Sequence, residues 1–598
     1  MSETNAPKLR SELAPETCWD LTQIYKTDAD WEEAFRTLDD LLAAHQACRG
    51  HLADSAEALK RGLETGDALG LRLETLYSYA HLKSDEDLAN GKNAGRRDRI
   101  AARYAEIEGE TSWFDPELLA MPEARFKELM DDPVLAFYRR TLEDTARQRP
   151  HTLSEPEERI LGLASDVFST GHHAFSKLND ADLRFPHIKD EKGNDVELTH
   201  GNYIKYLENT DRRVRQDAFA ACYRTYSSFA NTIAAMLDGT VKAGVLEAKL
   251  RHFPSARAAS LFPDHVPESM YDGLIDAVRA KLPLLHRYFE LRRRVLKLDK
   301  LELFDLVTPL VRPAKVLYSW EEGCDLVRQA VKLYGPEYCE ALERAFTDRW
   351  IDVYECRGKT SGAYSGGCYR KPPYVLLNYT GTLDSVSTLA HELGHSMHSY
   401  LSDRAQEYHY AGYCLFAAEV ASTTNELLLN HYLLEHAQDD NLRAYLLTHL
   451  LDLIRGTVFR QTQFAEYERD IYAMSEGGEP LTAEALSDHY YKLNGEYFGP
   501  DVVNNEPIRF EWARIPHFHY NFYVYKYATG LSAAAKISAD IIAGNPAPAL
   551  RFLKSGDTRD VLDLLRDAGA DFATPEPVNA AMRLFETSLD QLESILLK

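Results

Sequence analysis

The chain has 598 residues, of which 45% are hydrophobic and 27% charged, and it carries a formal net charge of −25. These proportions are ordinary for globular proteins and argue against collagen-like, disordered and membrane-spanning classes. The acidic excess disfavours nucleic-acid and anionic-membrane partners, because both require a positive protein surface. The length predicts three or four domains, or one large helical body with appended lobes.

Neither export nor membrane insertion is expected from the sequence. The opening segment MSETNAPKLRSELAPE lacks the apolar core of a signal peptide, and no run of eighteen apolar residues occurs. The expected compartment is therefore the cytoplasm. The eight cysteines form no C-x-x-C pair, which predicts buried, reduced thiols and no disulfide or cysteine-rich zinc framework.

Helical periodicity dominates the first third of the chain. Apolar residues recur every three or four positions from 28 to about 183, and Ser154 with Glu157 forms the S-x-x-E pattern that starts a helix. Turn residues at 192–194 between two short extended runs predict a hairpin near 185–200. We take this hairpin as a candidate boundary between an N-terminal lobe and the rest of the chain.

Helical patterns resume at 203–250 and 267–298, and the composition changes between Trp350 and Tyr379. That segment is rich in Gly, Tyr and Val and contains a Gly-Gly and a Pro-Pro pair, which predicts two or three short antiparallel strands. From Thr382 onward the pattern is again mostly helical. The expected fold is therefore mainly α, with a small antiparallel sheet.

The segment TLDSVSTLAHELGHSMHSYLSD carries the residues with the clearest chemistry. Its apolar residues fall at helical spacing, so His391 and His395 lie one turn apart on one helix face, where both imidazoles can bind a single metal ion. Glu392 points to a neighbouring direction and can reach a water beside that metal. The H-E-x-x-H pattern therefore predicts a zinc site with Glu392 as general base.

A catalytic zinc site of this kind needs a third protein ligand. The candidates are four downstream carboxylates, Asp403, Glu407, Glu419 and Glu426. The first two are expected in a loop behind the first helix, whereas the other two share the polar face of a second helix, FAAEVASTTNELLLNHYLLEHA. A polar face on an otherwise apolar helix needs partners. We therefore expect Glu419 to be the third ligand and Glu426 to support a ligand from behind.

The spacing excludes one class of zinc hydrolase. The metzincin pattern H-E-x-x-H-x-x-G-x-x-H requires a glycine at position 398 and a histidine at 401, where this chain has His398 and Leu401. His398 lies near the same helix face as His395, where it could orient a ligand or pack in a helix interface, and we expect packing.

HELGH followed by AEVASTTNE, and preceded by GAYSGGCYRKPPYVLLNYTGTLDSVSTLA, resembles the oligoendopeptidase F branch of the thimet-oligopeptidase-like M3 metallopeptidases. The similarity extends from WDLTQIY at 19–25 to IPHFHYNFYVYKYATGLSAA at 515–534 and so covers nearly the whole chain. It implies a mostly helical, two-lobed fold around a deep channel, one zinc ion per chain, and cleavage of internal bonds in short peptides. The family's catalytic glutamate falls on Glu392 and its zinc ligands on His391, His395 and Glu419.

The resemblance also implies a domain division and a cellular task. An N-terminal helical region at 1–112 would be followed by an oligopeptidase F-type domain at 113–200 and an M3-type catalytic domain at 201–598. The implied partners are short peptide substrates, and the implied task is intracellular peptide turnover. The oligomeric state is left open.

The tyrosine-rich segment HFHYNFYVYKYATG would by default be core packing. Related enzymes have a His-x5-Tyr-x3-Tyr arrangement on a mobile loop and helix over the zinc, which fits His517, Tyr523 and Tyr527. The resemblance implies that Tyr527 donates its hydroxyl to the developing oxyanion, with His517 also catalytic and Tyr523 and His519 binding substrate. Where relatives have a further tyrosine, this chain has Gly530.

An extended strand at 363–365 or at 375–378 could pair with the main chain of a peptide, so Ala363 and Tyr364 are expected to contact substrate. Two alternatives remain open at this stage. An exopeptidase would need a fixed cation for the terminal carboxylate, and Arg514 and Arg370 are candidates. A binding protein with a structural zinc would leave Glu392 without a task.

Overall fold

The structure is a computed structural model that describes residues 7–311 and 317–598. Part of the segment on which the absence of a signal peptide was predicted, residues 1–6, lies outside the described residues. The described chain is mainly α-helical with short strands, so the predicted fold class is confirmed. Among the helices of these ranges, none combines the length and apolarity that crossing a bilayer requires.

The first third of the chain is helical, as its periodicity predicts. The helix at Glu155–Phe168, α8, starts with the predicted capping box, in which Glu157 accepts the Ser154 backbone N–H at 3.0 Å. The predicted hairpin is also present, since β1 and β2 pair antiparallel and Gly193 in the turn has φ +82°. These elements are α1 (Asp28–Arg36), α2 (Leu38–Gln46), α3 (Ala56–Asp85), α4 (Gly91–Thr111), α5 (Phe114–Ala120), α6 (Glu123–Met130), α7 (Arg139–Gln148), α8 (Glu155–Phe168), α9 (Thr170–Lys177), β1 (His187–Lys189) and β2 (Asp195–Glu197).

Helices resume after the hairpin, again as predicted. They are α10 (His200–Leu207), α11 (Arg212–Ser228), α12 (Ala230–Leu250), α13 (Ala256–Leu261), α14 (Glu268–Arg279) and α15 (Leu282–Val295), then strand β3 (Leu301–Glu302), α16 (Trp320–Ala330) and α17 (Pro336–Thr347).

The predicted β segment forms a three-stranded sheet in the order β4-β6-β5, with β4 at Ile351–Asp352, β5 at Tyr364–Gly366 and β6 at Tyr374–Leu376. Strands β5 and β6 are antiparallel, as predicted, but β4 and β6 are parallel, so the all-antiparallel prediction is wrong for β4. A tight turn forces antiparallel pairing only on neighbouring strands, and β5 separates β4 from β6 in the chain.

The remainder of the chain is helical apart from one two-residue strand. It contains α18 (Leu383–Ala405), α19 (Tyr408–Ala411), α20 (Leu415–His436), α21 (Asp440–Ile454), α22 (Arg460–Glu476), α23 (Ala483–Phe498), β7 (Val502–Val503), α24 (Tyr525–Ile542), α25 (Ala547–Leu553), α26 (Val561–Asp567) and α27 (Glu576–Leu596). Strand β7 pairs parallel with β3.

The chain divides into two compact units, each assembled from three segments. One consists of Met1–Thr152, Val316–Tyr432 and Ile537–Gly569, and the other of Leu153–Lys315, Leu433–Lys536 and Ala570–Lys598. The domain boundaries predicted from the resemblance, and the channel between lobes, stay predictions.

The first unit contains the sheet and the H-E-x-x-H helix. Part of its core is an apolar cluster formed by residues such as Leu59, Trp113 and Leu135, which are nearly or fully buried. A buried lysine fastens the sheet, because the Lys359 ammonium lies 2.8 Å from the Asp352 carboxylate and donates to the Leu377 carbonyl. This network joins β4 to the residue after β6 and so holds these two strands together.

The second unit contains a buried network of charged and phenolic groups. Glu511 is 2% exposed and accepts hydrogen bonds from Tyr223, Tyr490 and the guanidinium of Arg460. Burial alone would raise the pKa of this carboxyl, but Arg460 and Arg514 hold it at about 2. A fully partnered charge of this kind specifies one arrangement of the surrounding helices.

The eight cysteines lie in the described ranges and are free thiols. Five are buried and Cys18, Cys339 and Cys414 are half-buried, so the prediction of burial holds for most of them.

Candidate active site

Two helices of the first unit bring the three predicted metal ligands together. His391 and His395 project from one face of α18, and Glu419 lies in the second turn of α20. One ligand atom from each residue falls within 4.8 Å of the others. The Nε2 atoms of the two histidines are 3.2 Å apart, and the Glu419 carboxylate is 3.7 Å and 4.0 Å from them. The arrangement could hold one metal ion.

A glycine in the motif permits this convergence. A Cβ added to Gly394 would lie 2.5 Å from the Ser422 Cα and 2.8 Å from the Ala421 carbonyl oxygen, closer than packed atoms allow. The two helices therefore meet backbone to backbone at Gly394, which brings Glu419 to the histidines. No role was predicted for this glycine, although its place inside HELGH is visible in the sequence.

Asn425 joins the same two helices and was also missed. It is fully buried, its Nδ2 donates to the Ala390 carbonyl at 3.1 Å, and its Oδ1 accepts the Tyr338 hydroxyl at 2.9 Å. An amide among apolar residues on the inner side of α20 was the available signal, since a buried polar group requires partners.

The ring of His391 is oriented by Glu426. The Glu426 carboxylate lies 2.6 Å from His391 Nδ1, so a proton held there leaves Nε2 free to bind a metal. Burial lowers the pKa of His391, but the hydrogen bond and charge of Glu426 outweigh it, and the pKa is raised. Glu426 was expected to support a metal ligand from behind, and the structure places it there, at the Nδ1 side of His391.

His395 is a neutral ligand candidate. Burial, together with the neighbouring His391, lowers the pKa of His395 to about 4. A hydrogen bond to the Ala418 carbonyl orients the ring. At neutral pH the ring therefore offers a lone pair, as metal binding requires.

Glu392 lies beside the ligands in a confined position. It is 7% exposed, and burial raises the pKa of its carboxyl to about 7, against the opposing charge of His391 and a hydrogen bond from the Ser365 backbone. Ser365 also bonds α18 directly, with its hydroxyl 2.8 Å from that of Ser396. A carboxyl with a pKa near neutrality can both accept and return a proton at pH 7.

Among the strands of the described residues, β5 pairs on one side only, and its other edge lies next to this carboxyl. It is an outer strand of the sheet, and its Ser365 N–H turns away from β6 toward Glu392. Because strand residues alternate, the polar backbone groups of Ala363 face the same outer side. Of the two predicted pairing segments, 375–378 includes the central strand β6, which already has neighbours on both sides. The structure therefore leaves 363–365 as the candidate.

The Tyr364 side chain makes contacts within the protein. Its hydroxyl donates to the Asp85 carboxylate at 2.8 Å, and its ring lies 5.8 Å from that of His81. Tyr364 can thus contact a peptide through its backbone or ring edge, while its hydroxyl anchors the strand to α3.

The other predicted carboxylates do not join the metal group. Asp403 was expected in a loop but lies inside α18, where its carboxylate accepts the Arg370 backbone N–H at 3.1 Å and burial raises its pKa to about 7. Glu407 lies 3.5 Å from the Arg370 guanidinium. His398 packs as expected, because it is 1% exposed and stacks on Tyr413 at 3.7 Å between ring centres.

In the second unit, three of the residues of the tyrosine-rich segment form one cluster. The Tyr527 hydroxyl lies 3.3 Å from His517 Nε2. The Tyr523 ring stacks on His517 at 6.0 Å and meets Tyr527 edge to face at 5.3 Å. Their convergence agrees with the His-x5-Tyr-x3-Tyr pattern, and their roles stay predictions.

His519 does not join this cluster. It is 7% exposed, its Nδ1 lies 3.0 Å from the Thr240 hydroxyl, and its ring stacks on Phe175 at 4.5 Å. Burial and the neighbouring His172 lower the pKa of His519 to about 4. The ring of His519 is thus occupied by packing in this conformation, and the substrate-binding role expected for it stays a prediction.

The two arginines considered for an exopeptidase both have carboxylate partners. Arg514 donates to Glu511 at 2.9 Å, and Arg370 pairs with Glu407. To bind a substrate carboxylate, either guanidinium would have to give up its ion pair.

Comparisons with known proteins place these residues in a family. The model of Peptidase family M3 matches residues 205–584, and that of Oligopeptidase F matches residues 117–185. Oligopeptidase PepF of Bacillus subtilis is 43% identical over 593 residues, which is 98% of this chain and 88% of the relative. The crystal structure of oligoendopeptidase-F from Enterococcus faecium is 37% identical, with a TM-score of 0.73 over 95% of this chain and 99% of that one. A crystal structure from Chlamydophila abortus is also 37% identical, with a TM-score of 0.94 over 98% of this chain and all of that one.

Proposed function

This chain belongs to peptidase family M3 and is an oligopeptide-cleaving metalloendopeptidase, and from that premise we propose that it uses zinc and a water activated by Glu392 to hydrolyse internal bonds of short peptides. The observation that carries the proposal is the convergence of His391, His395 and Glu419 beside Glu392. A cytoplasmic location and a task in intracellular peptide turnover belong to the same proposal.

The donor atoms fit zinc. Two imidazole nitrogens and one carboxylate oxygen are a typical ligand set of catalytic zinc. Nitrogens at roughly 2.0–2.1 Å from one tetrahedral ion lie about 3.3 Å apart, and the two Nε2 atoms are 3.2 Å apart. The Nδ1 contact of His391 with Glu426 supports the tautomer that zinc needs.

Zinc, when bound, would polarise the scissile carbonyl and lower the pKa of a water toward about 7. Glu392 would accept the proton of the attacking water on its carboxylate and then pass it to the departing amine nitrogen. The Ser365 N–H would hold that carboxylate in place throughout. No covalent bond to a serine or cysteine is required.

Substrate would be aligned by the free edge of β5. A peptide in extended form could pair with the Ala363 main chain and so be bound with little dependence on side-chain identity. We further propose that Tyr527 donates its hydroxyl to the developing oxyanion, with His517 and Tyr523 assisting. The cluster of these three rings supports their acting as a group.

The test is hydrolysis of a short peptide that is blocked at both ends and internally quenched. We expect cleavage by the purified protein, loss of cleavage after chelation and recovery with zinc. Cleavage only of peptides with a free terminus would instead indicate an exopeptidase, and activity insensitive to chelation would overturn the zinc proposal.

The variant Glu392→Gln tests the general base. We expect it to retain zinc and to lose about 10²–10⁴-fold in kcat, the usual contribution of a positioned base. Asp403→Asn is the matched control, because it removes a half-buried carboxyl of the same helix that lies outside the metal group. Activity of Glu392→Gln within about tenfold of wild type would contradict the assignment.

A further inference from the structure

The loop that carries His517 and Tyr523 has a strained backbone. In the turn between these residues, Asn521 has φ +22° and Phe522 has φ +54°. Residues other than glycine rarely adopt such values, and a phenylalanine does so only where its surroundings impose the conformation. The structure must therefore contain contacts that hold this turn.

Glu468 of helix α22 makes the central contact. Its Oε1 accepts the Phe522 backbone N–H at 2.7 Å, and the side chain is completely buried. Within the described residues, the second carboxyl oxygen is buried without a hydrogen-bond partner. The carboxyl thus makes one structural hydrogen bond, and that bond goes to the strained residue.

Other contacts fix the same turn. Tyr472, one turn along α22, donates its hydroxyl to Asn521 Oδ1, and the Ser260 hydroxyl donates to the Asn521 carbonyl at 2.7 Å. The Phe522 ring is 1% exposed and lies 4.6 Å from the Tyr472 ring. Each of these groups contacts residues 521–522. The side chains of His517 and Tyr523 contact one another instead.

We propose that Glu468 is a positioning residue that locks residues 521–522 in the left-handed conformation and so places His517, Tyr523 and Tyr527 for catalysis. This inference rests on the proposed function, because it assigns Glu468 a task through the cluster that the mechanism uses. The hydrogen bond of Glu468 goes to the backbone N–H of Phe522, and the residue acts through that backbone.

The chemistry of the site predicts which substitutions are tolerated. Burial raises the pKa of Glu468 to about 8, so the group is a neutral acid at pH 7. Glutamine has the same shape, is also neutral and offers the same acceptor oxygen. Methionine fills a similar volume but leaves the Phe522 N–H without an acceptor.

The experiment compares Glu468→Gln with Glu468→Met in the full chain. The readouts are kcat and KM on the doubly blocked quenched peptide, zinc content, and backbone hydrogen exchange of residues 516–524. We expect Glu468→Met to keep zinc, to exchange faster in this segment and to lose about tenfold or more in kcat/KM, and Glu468→Gln to stay within about threefold of wild type.

The matched control is Glu466→Gln. Glu466 is a buried carboxyl of the same helix, but it pairs with Arg279 and Tyr497 and does not contact the loop. We expect Glu466→Gln to lower overall stability without a selective change in the backbone hydrogen exchange of residues 516–524. Should Glu468→Met fail to fold, Tyr472→Phe removes only the hydroxyl bound to Asn521 and is expected to change exchange and kcat/KM in the same direction, by a smaller factor.

Three results would overturn the inference. They are unchanged kcat/KM and exchange in Glu468→Met, a loss in Glu468→Gln as large as in Glu468→Met, or, if Met does not fold, unchanged exchange and kcat/KM in Tyr472→Phe. A wild-type protein that cleaves no peptide would refute the proposed function instead, and the exchange measurement would still report whether Glu468 holds the loop.

Discussion

Replacing Glu426 tests the metal centre without removing a ligand. Its carboxylate lies 2.6 Å from His391 Nδ1, on the side of the ring opposite the nitrogen that faces His395 and Glu419. Glu426→Gln keeps an acceptor but removes the charge, whereas Glu426→Ala removes both. Comparing the two variants therefore separates the effect of the Glu426 charge on zinc binding from the effect of its hydrogen bond.

The expected loss of zinc affinity in the two variants follows from this geometry. A hydrogen bond to a charged group stabilises by about 1.5–3 kcal/mol and a neutral one by about 0.5–1.5 kcal/mol. The side chains of Glu426 and His391 are 21% and 28% exposed, so solvent screening reduces the charge contribution. We expect zinc binding to weaken by about tenfold in Glu426→Gln and by about 10–100-fold in Glu426→Ala, where tenfold corresponds to about 1.4 kcal/mol.

The assay is competition for zinc with a chromogenic chelator, followed by activity at saturating zinc. Glu435→Gln is the control, because this exposed carboxylate lies on the same helix, beyond the metal group. Saturating zinc should restore much of the activity in both Glu426 variants. Zinc affinities of Glu426→Ala within about twofold of wild type would refute the assignment of Glu426 as the group that orients His391.

The remaining predictions concern the tyrosine cluster, the helix contact and a buried acid. Tyr527→Phe should lower kcat by about 10²–10³-fold at unchanged zinc content, with Tyr523→Phe less affected; equal effects would reassign the oxyanion donor. Gly394→Ala should lower stability by about 1–3 kcal/mol and weaken zinc binding, since its Cβ would meet the Ser422 backbone; unchanged melting temperature and affinity would contradict the contact. Because the pKa of Glu468 is raised in the folded state to about 8, the folded chain binds the extra proton and wild-type stability falls as pH rises from about 4.5 to 8. Glutamine does not titrate, so the melting temperature of Glu468→Gln relative to wild type should rise across that window; a constant difference would contradict the shift.

The metal group was predictable because its geometry is mostly local. Two histidines four residues apart on a helix share a face whatever the rest of the chain does. Glu419 required a second helix, but the polar face that it shares with Glu426 identified that helix in the sequence. In the structure the three ligand atoms converge, as this reasoning expected.

Predictions failed where distant contacts decide local structure. Strand β4 pairs parallel with β6, an arrangement that no turn signal encodes. Asp403 lies in the last turns of α18, where the Arg370 N–H holds its carboxylate, and this contact is invisible to helix periodicity. The ring of His519 packs on Phe175, a contact between distant segments that its neighbours in the sequence do not encode, and its expected role in substrate binding stays a prediction.

Glu392 and Glu468 show why a raised pKa alone does not identify a catalytic acid or base. Burial raises the pKa of both carboxyls, to about 7 and to about 8. Glu392 retains a little exposure and lies next to the candidate metal ligand His391, which is the position that the proposed transfer of a proton from water to product requires. Glu468 has no exposure, and its one hydrogen bond holds a strained turn. The same physical cause thus accompanies a proposed proton-transfer role in the first residue and a proposed positioning role in the second, and only the contacts of each carboxyl distinguish the two.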